Sequence, residues 1–324
     1  MSKRFDRRKF LKSSAASATA LALGGGCTTL NPKKLQAAAG MRPPPELSRL
    51  VQTTGPGVPK DLSRAVEKLI EPLGGMQAFV KTGQRVLLKP NMGFPVPAAQ
   101  RATTSAELIA AVAGLVLAKG AGQVIIADYP TSESEKTVEL MGLREALKGL
   151  KVKIMPVTAD DEFVEMEIPG GKSLKSAEFL KEALQADVHI ALPMVKSHSS
   201  TLYTGTLKGM MGLVATRKTF HWWHNLHMAI VDLNRVIKPD LVILDGLEVM
   251  TNEGPRGPGD LEKTNSLIAG TDPVAVDAAG VRLTRLFGRR IKPEKVTHLA
   301  LAASLGLGRL KLEDKHNIKI DMPA

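Results

Sequence analysis

From Asp61 onward, short β-branched runs alternate with amphipathic runs, and this alternation predicts the elements. Buried strands are expected at Arg85–Lys89, Gln123–Asp128, Lys151–Val157, Asp187–Leu192, Asp240–Asp245 and Asn265–Ala269, because each is a compact apolar run bounded by turn residues. Helical periodicity spans Thr103–Lys119, Lys136–Gly149, Ser176–Gln185, Gly205–Val214 and Asn225–Ile237. Thr104 and Glu107 have the spacing of a capping box, and Asp272-Pro273 opens a further helix with an N-cap and a proline at N1. Glu162–Ile168 alternates as a hairpin or edge strand does. Strands separated by helices predict an α/β fold: a mainly parallel sheet with helices on both faces.

The first sixty residues follow a different pattern. Arg7-Arg8 precedes Phe10-Leu11, and an apolar run of small residues follows from Ala15 to Gly26. Such a run is too short to span a bilayer and has the size of a signal-peptide core. A twin-arginine signal over residues 1–27 is therefore expected, with the twin-arginine translocase as a partner and an extracytoplasmic, periplasmic location. Cys27 stands where a lipoprotein cysteine would stand, so lipidation there would tether the protein to the membrane. Ala37-Ala38-Ala39 is the competing processing site. Residues 28–60, rich in Pro, Gly and Ala, read as a linker, leaving 61–324 as a single α/β domain.

Composition narrows the chemistry. The chain of 324 residues has one Cys, which excludes an internal disulfide and any iron–sulfur cluster needing four thiolates from this chain. Six basic and one acidic side chains among residues 1–26 supply +5 of the net charge of +12. The remaining +7 suits an anionic partner, while 4% aromatics with no basic–aromatic interleaving argue against a nucleic-acid groove.

In parallel α/β sheets, ligands bind beyond the carboxyl ends of the strands. Those ends carry Lys89 and Asn91, then Asp128, then Lys196 and His198, then Asp245. Tyr129, Tyr203, Trp222 and Trp223 all lie in or beside these loops, as the walls of an aromatic cleft or as cover for the loop bases. Between Lys196 and Gly212, Lys208 adds charge, Tyr203 and Thr204 add hydroxyls, and glycines precede a helix. A small anionic ligand is thus expected on Lys89, Asn91, Lys196, Tyr203, Thr204 and Lys208, with helix N–H groups assisting. His198 and Asp245 are the candidate acid–base pair. His221 and His224 share a helix face at i, i+3, and Glu248 and Glu253 follow a strand end, so these four are candidate ligands for a divalent metal. The bland alternative is a histidine-bearing loop without metal. Gly254 to Gly259 reads as a lid-like loop.

The ordered set Lys89-Pro-Asn91, Pro193-x-x-Lys196-x-His198, Thr204-Gly-Thr-Leu-Lys-Gly-Met-Met-Gly212, Asp232-Leu-Asn234, Lys238-Pro-Asp240, Asp245-Gly246, Glu253-Gly-Pro and Gly270-Thr-Asp272-Pro-Val-Ala-Val-Asp277 resembles the domain of unknown function 362 family. The resemblance implies a shared α/β domain with a polar cleft, spanning about residues 80–310. Some relatives carry ferredoxin-type iron–sulfur modules. This chain departs from them, since its sole cysteine lies in the signal region. Three readings stand open: an enzyme, metal-assisted or not, acting on a small anion; a non-catalytic periplasmic anion-binding protein; or an accessory factor for a redox system.

Overall fold

The computed structural model describes residues 48–215, 220 and 225–324. The signal, Cys27 and Ala37–Ala39 lie outside the described residues, as do His221, Trp222, Trp223 and His224. Among the described residues no helix is long and apolar enough to cross a membrane.

Ten strands join in one mixed, mostly parallel sheet. In chain order they are β1 (Leu50–Thr54), β2 (Arg85–Pro90), β3 (Gln123–Asp128), β4 (Lys153–Pro156), β7 (Val188–Leu192), β8 (Met194–His198), β9 (Leu202–Thr204), β10 (Leu241–Met250), β11 (Leu261–Gly270) and β12 (Asn317–Asp321). A separate antiparallel pair is formed by β5 (Phe163–Glu167) and β6 (Ser176–Leu180). The main order is β12-β1-β11-β10-β7-β2-β3-β4, with β8 beside β10 and β9 beside β8.

Strand alternation splits the core into two layers. Leu87, Ile125, Val242 and Leu244 face one apolar cluster, while Val86, Leu88, Ile126 and Ile243 face the other. Helices α1 (Leu62–Ile70), α2 (Ala106–Ala118), α3 (Ser134–Leu140) and α4 (Leu143–Ala146) cover the second cluster. The first is covered by α5 (Lys181–Gln185), α6 (Thr206–Gly209), α7 (Leu226–Leu233), α8 (Pro273–Arg282) and α9 (Thr297–Ser304). The α/β architecture with helices on both faces is the one the alternation predicts.

Several boundaries differ from the sequence expectation, each for a local reason. Residues 50–54, assigned to the 28–60 linker, form β1 between β11 and β12, so the fold begins upstream of Asp61. Val51 alternates inward there, and five residues are too few for composition to reveal. Ser176–Leu180 is a strand, not the start of a helix, because it pairs with β5 and the helix follows at Lys181. The helix expected over 136–149 breaks at Gly142, which adopts φ +67°. The loop expected after Pro193 contains β8 and β9. The cap of α2 is Ser105 rather than Thr104: Leu108 N donates to Ser105 Oγ, which itself donates to Glu107 Oε2. Asp272 caps α8 as the sequence predicts, accepting from Val274 N and Ala275 N.

Candidate functional site

Strands β10, β7, β2 and β3 lie side by side and parallel, so their carboxyl ends share one rim. One short segment, Arg101 to Ser105, ties that rim together. Thr104 N donates to Asn91 O and Asn91 N donates to Thr104 Oγ1, while the Thr104 hydroxyl donates to Leu192 O at the end of β7. Ser105 N donates to Asp245 Oδ2. Ala102 O accepts from Lys196 Nζ. Lys89, Asn91, Lys196 and Asp245 are thereby brought to one rim. Thr104 is spent on this junction, which is why the cap of α2 moves one residue on.

The charges of the rim follow from its neighbours. Lys89 Nζ lies 2.8 Å from Asp128 Oδ1 and also donates to Pro90 O at 2.8 Å. Asp128 accepts in addition from Met92 N at 2.6 Å and Tyr129 N at 3.1 Å. Gly212 packs against this pair: a Cβ there would collide with Asp128 Oδ1 and sit 3.0 Å from Lys89 Nζ. Lys196, 1% exposed, has its amine 5.2 Å from the centre of the Phe94 ring. Burial, then the nearby charge of Lys208, pulls its pKa down to about 7, against an opposing pull from Asp128. Asp128 was legible as a polar strand end but not as a site residue. The signal that finds it is adjacency, since its strand lies next to the one that ends at Lys89.

Thr204 pairs across the ladder with Lys196, which places both on one side of the β8–β9 ribbon. Its hydroxyl is buried and has no hydrogen-bond partner among the described residues. His198 lies two residues beyond Lys196 on the same strand face, about 7 Å along. Its Nδ1 accepts from Ser200 N at 3.1 Å, so a neutral ring carries its proton on Nε2. The Asp245 carboxyl is pushed upward by burial, partly offset by the amides of Ser105 and Leu247.

Two expectations are corrected here. Tyr203 pairs with Ser197, on the face opposite Lys196, and is fully buried. Its hydroxyl lies where a Cβ on Gly205 or Gly280 would be, so it packs against α8 instead of lining a cleft. The start of α6 does not offer free amides for an anion. Thr206 N and Leu207 N donate to Asp277 at 2.6 and 3.0 Å, and burial raises that carboxyl to about 6. Asp277 is thus the internal anion of that turn.

Of the proposed metal ligands, only Glu248 and Glu253 lie among the described residues. Glu248 pairs with Arg101 at 2.8 Å, and Glu253 sits at φ +50° in the connection between β10 and β11. Among the described residues, no group of three or more His, Cys, Asp or Glu side chains converges as a metal site. His221 and His224 lie outside the described residues, so the set His221, His224, Glu248 and Glu253 has no described geometry. Gly254 to Gly259 is neither helix nor strand, and Gly254 N donates to Ser197 Oγ beside Lys196.

The sequence model of a family described as Domain of unknown function (DUF362) matches residues 86–282. The chain is similar to a curated protein named thylakoid-associated protein sll1697, from Synechocystis sp. (strain ATCC 27184 / PCC 6803 / Kazusa). The two are 33% identical over 261 residues, which is 76% of this chain and 75% of that protein. Among solved structures, the lactate racemase apoprotein from Thermoanaerobacterium thermosaccharolyticum is similar at a TM-score of 0.39 with 12% identity. The match covers 65% of this chain and 53% of that one, so the chain spans about half the length of that structure.

Proposed function

The chain belongs to the DUF362 family, and from that premise we propose that the rim around Lys196 binds a small carboxylate or phosphate. What carries this reading is an imbalance of charge. Lys89 is paired with Asp128, while Lys196 is buried and feels the charge of Lys208 more strongly than that of Asp128. A buried amine beside a second cation is costly, and an anion entering the rim relieves that cost. The buried hydroxyl of Thr204 adds a polar group on the same side. Asn91 and Lys89 border a small space with Pro193, Thr206 and Gly209. His198 and Asp245 stand at the same rim as the groups for acid–base work, should the bound anion react.

The reading has a signature that surface adsorption lacks. An anion next to Lys196 raises its pKa, so binding takes up a proton above neutral pH. In calorimetric titrations with inorganic phosphate and with succinate at pH 8, the observed heat is expected to vary with the buffer's ionisation enthalpy. Affinity is expected to fall about tenfold per pH unit above 7 at most. Binding without proton uptake would place the anion elsewhere.

The reading extends to location. Arg7-Arg8 and the apolar run after it direct the folded protein across the membrane, and Cys27 anchors it. The Arg7→Lys, Arg8→Lys variant is expected to stay in the cytoplasmic fraction, and Cys27→Ser to appear in the soluble exported fraction. Export of the double-lysine variant at the normal level would refute the signal.

A further inference from the structure

Independently of the anion-binding reading of the rim, we infer that the turn from Leu286 to Arg289 docks the protein reversibly on an anionic lipid surface. Residues 282–292 hold five basic residues, Arg282, Arg285, Arg289, Arg290 and Lys292, and no acidic one. Leu286 N donates to Arg289 O at 3.0 Å and Arg289 N to Leu286 O at 3.2 Å, closing a two-residue turn with Phe287 and Gly288 at its tip. Both tip residues have positive φ, +54° and +72°, as a tight hairpin turn of this kind requires. Glycine adopts that region freely, whereas a bulky aromatic is strained in it. Leu286 is fully buried and pins the turn to the core, while Phe287 beside it is 37% exposed. A singly exposed apolar residue is ordinary. What sets this one apart is a strained backbone that holds its ring at the tip of an arginine-rich turn.

Charge selects the occupant. Arg285, Arg289, Arg290 and Lys292 are all exposed, and among the described residues their side chains make no ion pair or hydrogen bond. The carboxylate that reaches this segment, Glu262, accepts from Thr284 Oγ1, and Glu294 follows beyond Lys292. An anionic lipid surface meets both halves of such a tip: phosphates take the guanidinium groups, and the ring enters the boundary between headgroups and acyl chains. A protein partner fits less well, because a stable interface covers about 800 Å² on each side around an apolar core. Leu261 and Phe287 are the only exposed large apolar side chains among the described residues.

The turn also stands at a definite end of the molecule. Phe287 N donates to Thr251 O, one residue past the end of β10, and the last residue of β10, Met250, pairs with Lys196. Leu261 opens β11 opposite Met250, so it belongs to the same end of the ribbon. A chain docked through Phe287 therefore turns the rim end of the sheet toward the lipid, together with the Gly254–Gly259 connection. A few basic residues and one ring make a weak, reversible contact. It does not by itself hold the Cys27→Ser protein in the membrane fraction.

The test is co-sedimentation of the full chain carrying Cys27→Ser with vesicles of phosphatidylcholine, with and without phosphatidylglycerol. The basic leader is common to every variant, so differences between variants report the turn. Arg289→Gln with Arg290→Gln is expected to weaken binding to the anionic vesicles about twentyfold, each lost cation being worth about fivefold. Phe287→Asn suits the positive φ and keeps the turn, yet it removes the ring, so binding should fall about threefold because only roughly a third of the side chain remains to be buried. Lys119→Gln with Lys151→Gln removes the same charge from exposed positions where the chain enters β3 and β4, at the opposite end of the sheet, and should change binding less than about twofold. An equal loss in that control would overturn the docking turn, because adsorption would then follow net charge alone. Unchanged binding in both turn variants would overturn it as well, and would leave the exposed arginines to an acidic protein.

Discussion

Replacing Asp128 by alanine is expected to destabilise the protein by about 3–5 kcal/mol, the usual cost of breaking a buried ion pair from one side. Three partners lose their acceptor at once. Lys89 Nζ loses its carboxylate, and the amides of Met92 and Tyr129 lose an oxygen. These groups sit at the ends of β2 and β3 and in the turns beyond them, so the loss loosens the rim itself. Asp128→Asn keeps an acceptor for the amides and removes only the charge, so it should recover part of the loss. Gly212→Ala attacks the same pair from outside, because its Cβ would displace the Asp128 carboxylate. Urea unfolding of the three variants is the measurement. A loss below about 1 kcal/mol for Asp128→Ala would mean that the pair does not hold the rim.

The second large effect is a dependence on pH. Lys196 binds a proton with a pKa near 10.5 in the unfolded chain and near 7 in the folded one. Between those values the unfolded chain holds more of this proton, so stability rises as pH rises through the window. The window is worth about 3–5 kcal/mol at roughly 1.4 kcal/mol per unit. Lys196→Met removes the titrating group and fits a site walled by Phe94, so it should be more stable than wild type at pH 7. The gap between the two should narrow toward pH 10. Urea unfolding of both proteins at several pH values checks this, and parallel curves across the window would contradict it. Asp277 works in the opposite sense, since its folded pKa of about 6 exceeds its unfolded value and its own contribution grows as pH falls below 6.

Much of the rim could be read from the chain alone, for a specific reason. Lys89, Asn91, Lys196 and Asp245 each stand at or just beyond the end of a β-branched run, and parallel strands put such ends on one side. Tyr203 points away from the rim although it stands in a largely polar stretch, Ser199 to Thr206. Its side chain follows the pleat to the far face of the ribbon, where Gly205 and Gly280 leave room for its hydroxyl. The amides at the start of α6 were misread because their partner, Asp277, lies 71 residues away from Thr206. Strand β1 escaped detection because its five residues sit in a stretch whose composition resembles a linker.

The chain by itself determined the α/β class, the succession of strands and helices after Asp61, and which polar residues stand at strand ends. These properties are local, set by side-chain period and by caps a few residues long. Only the folded structure decided which of those ends are neighbours, that Asp128 belongs to Lys89 and not to Lys196, and that Asp277 takes the amides of the turn bearing Lys208. Strand order and the burial of a charge depend on contacts between distant segments, and no local pattern encodes them.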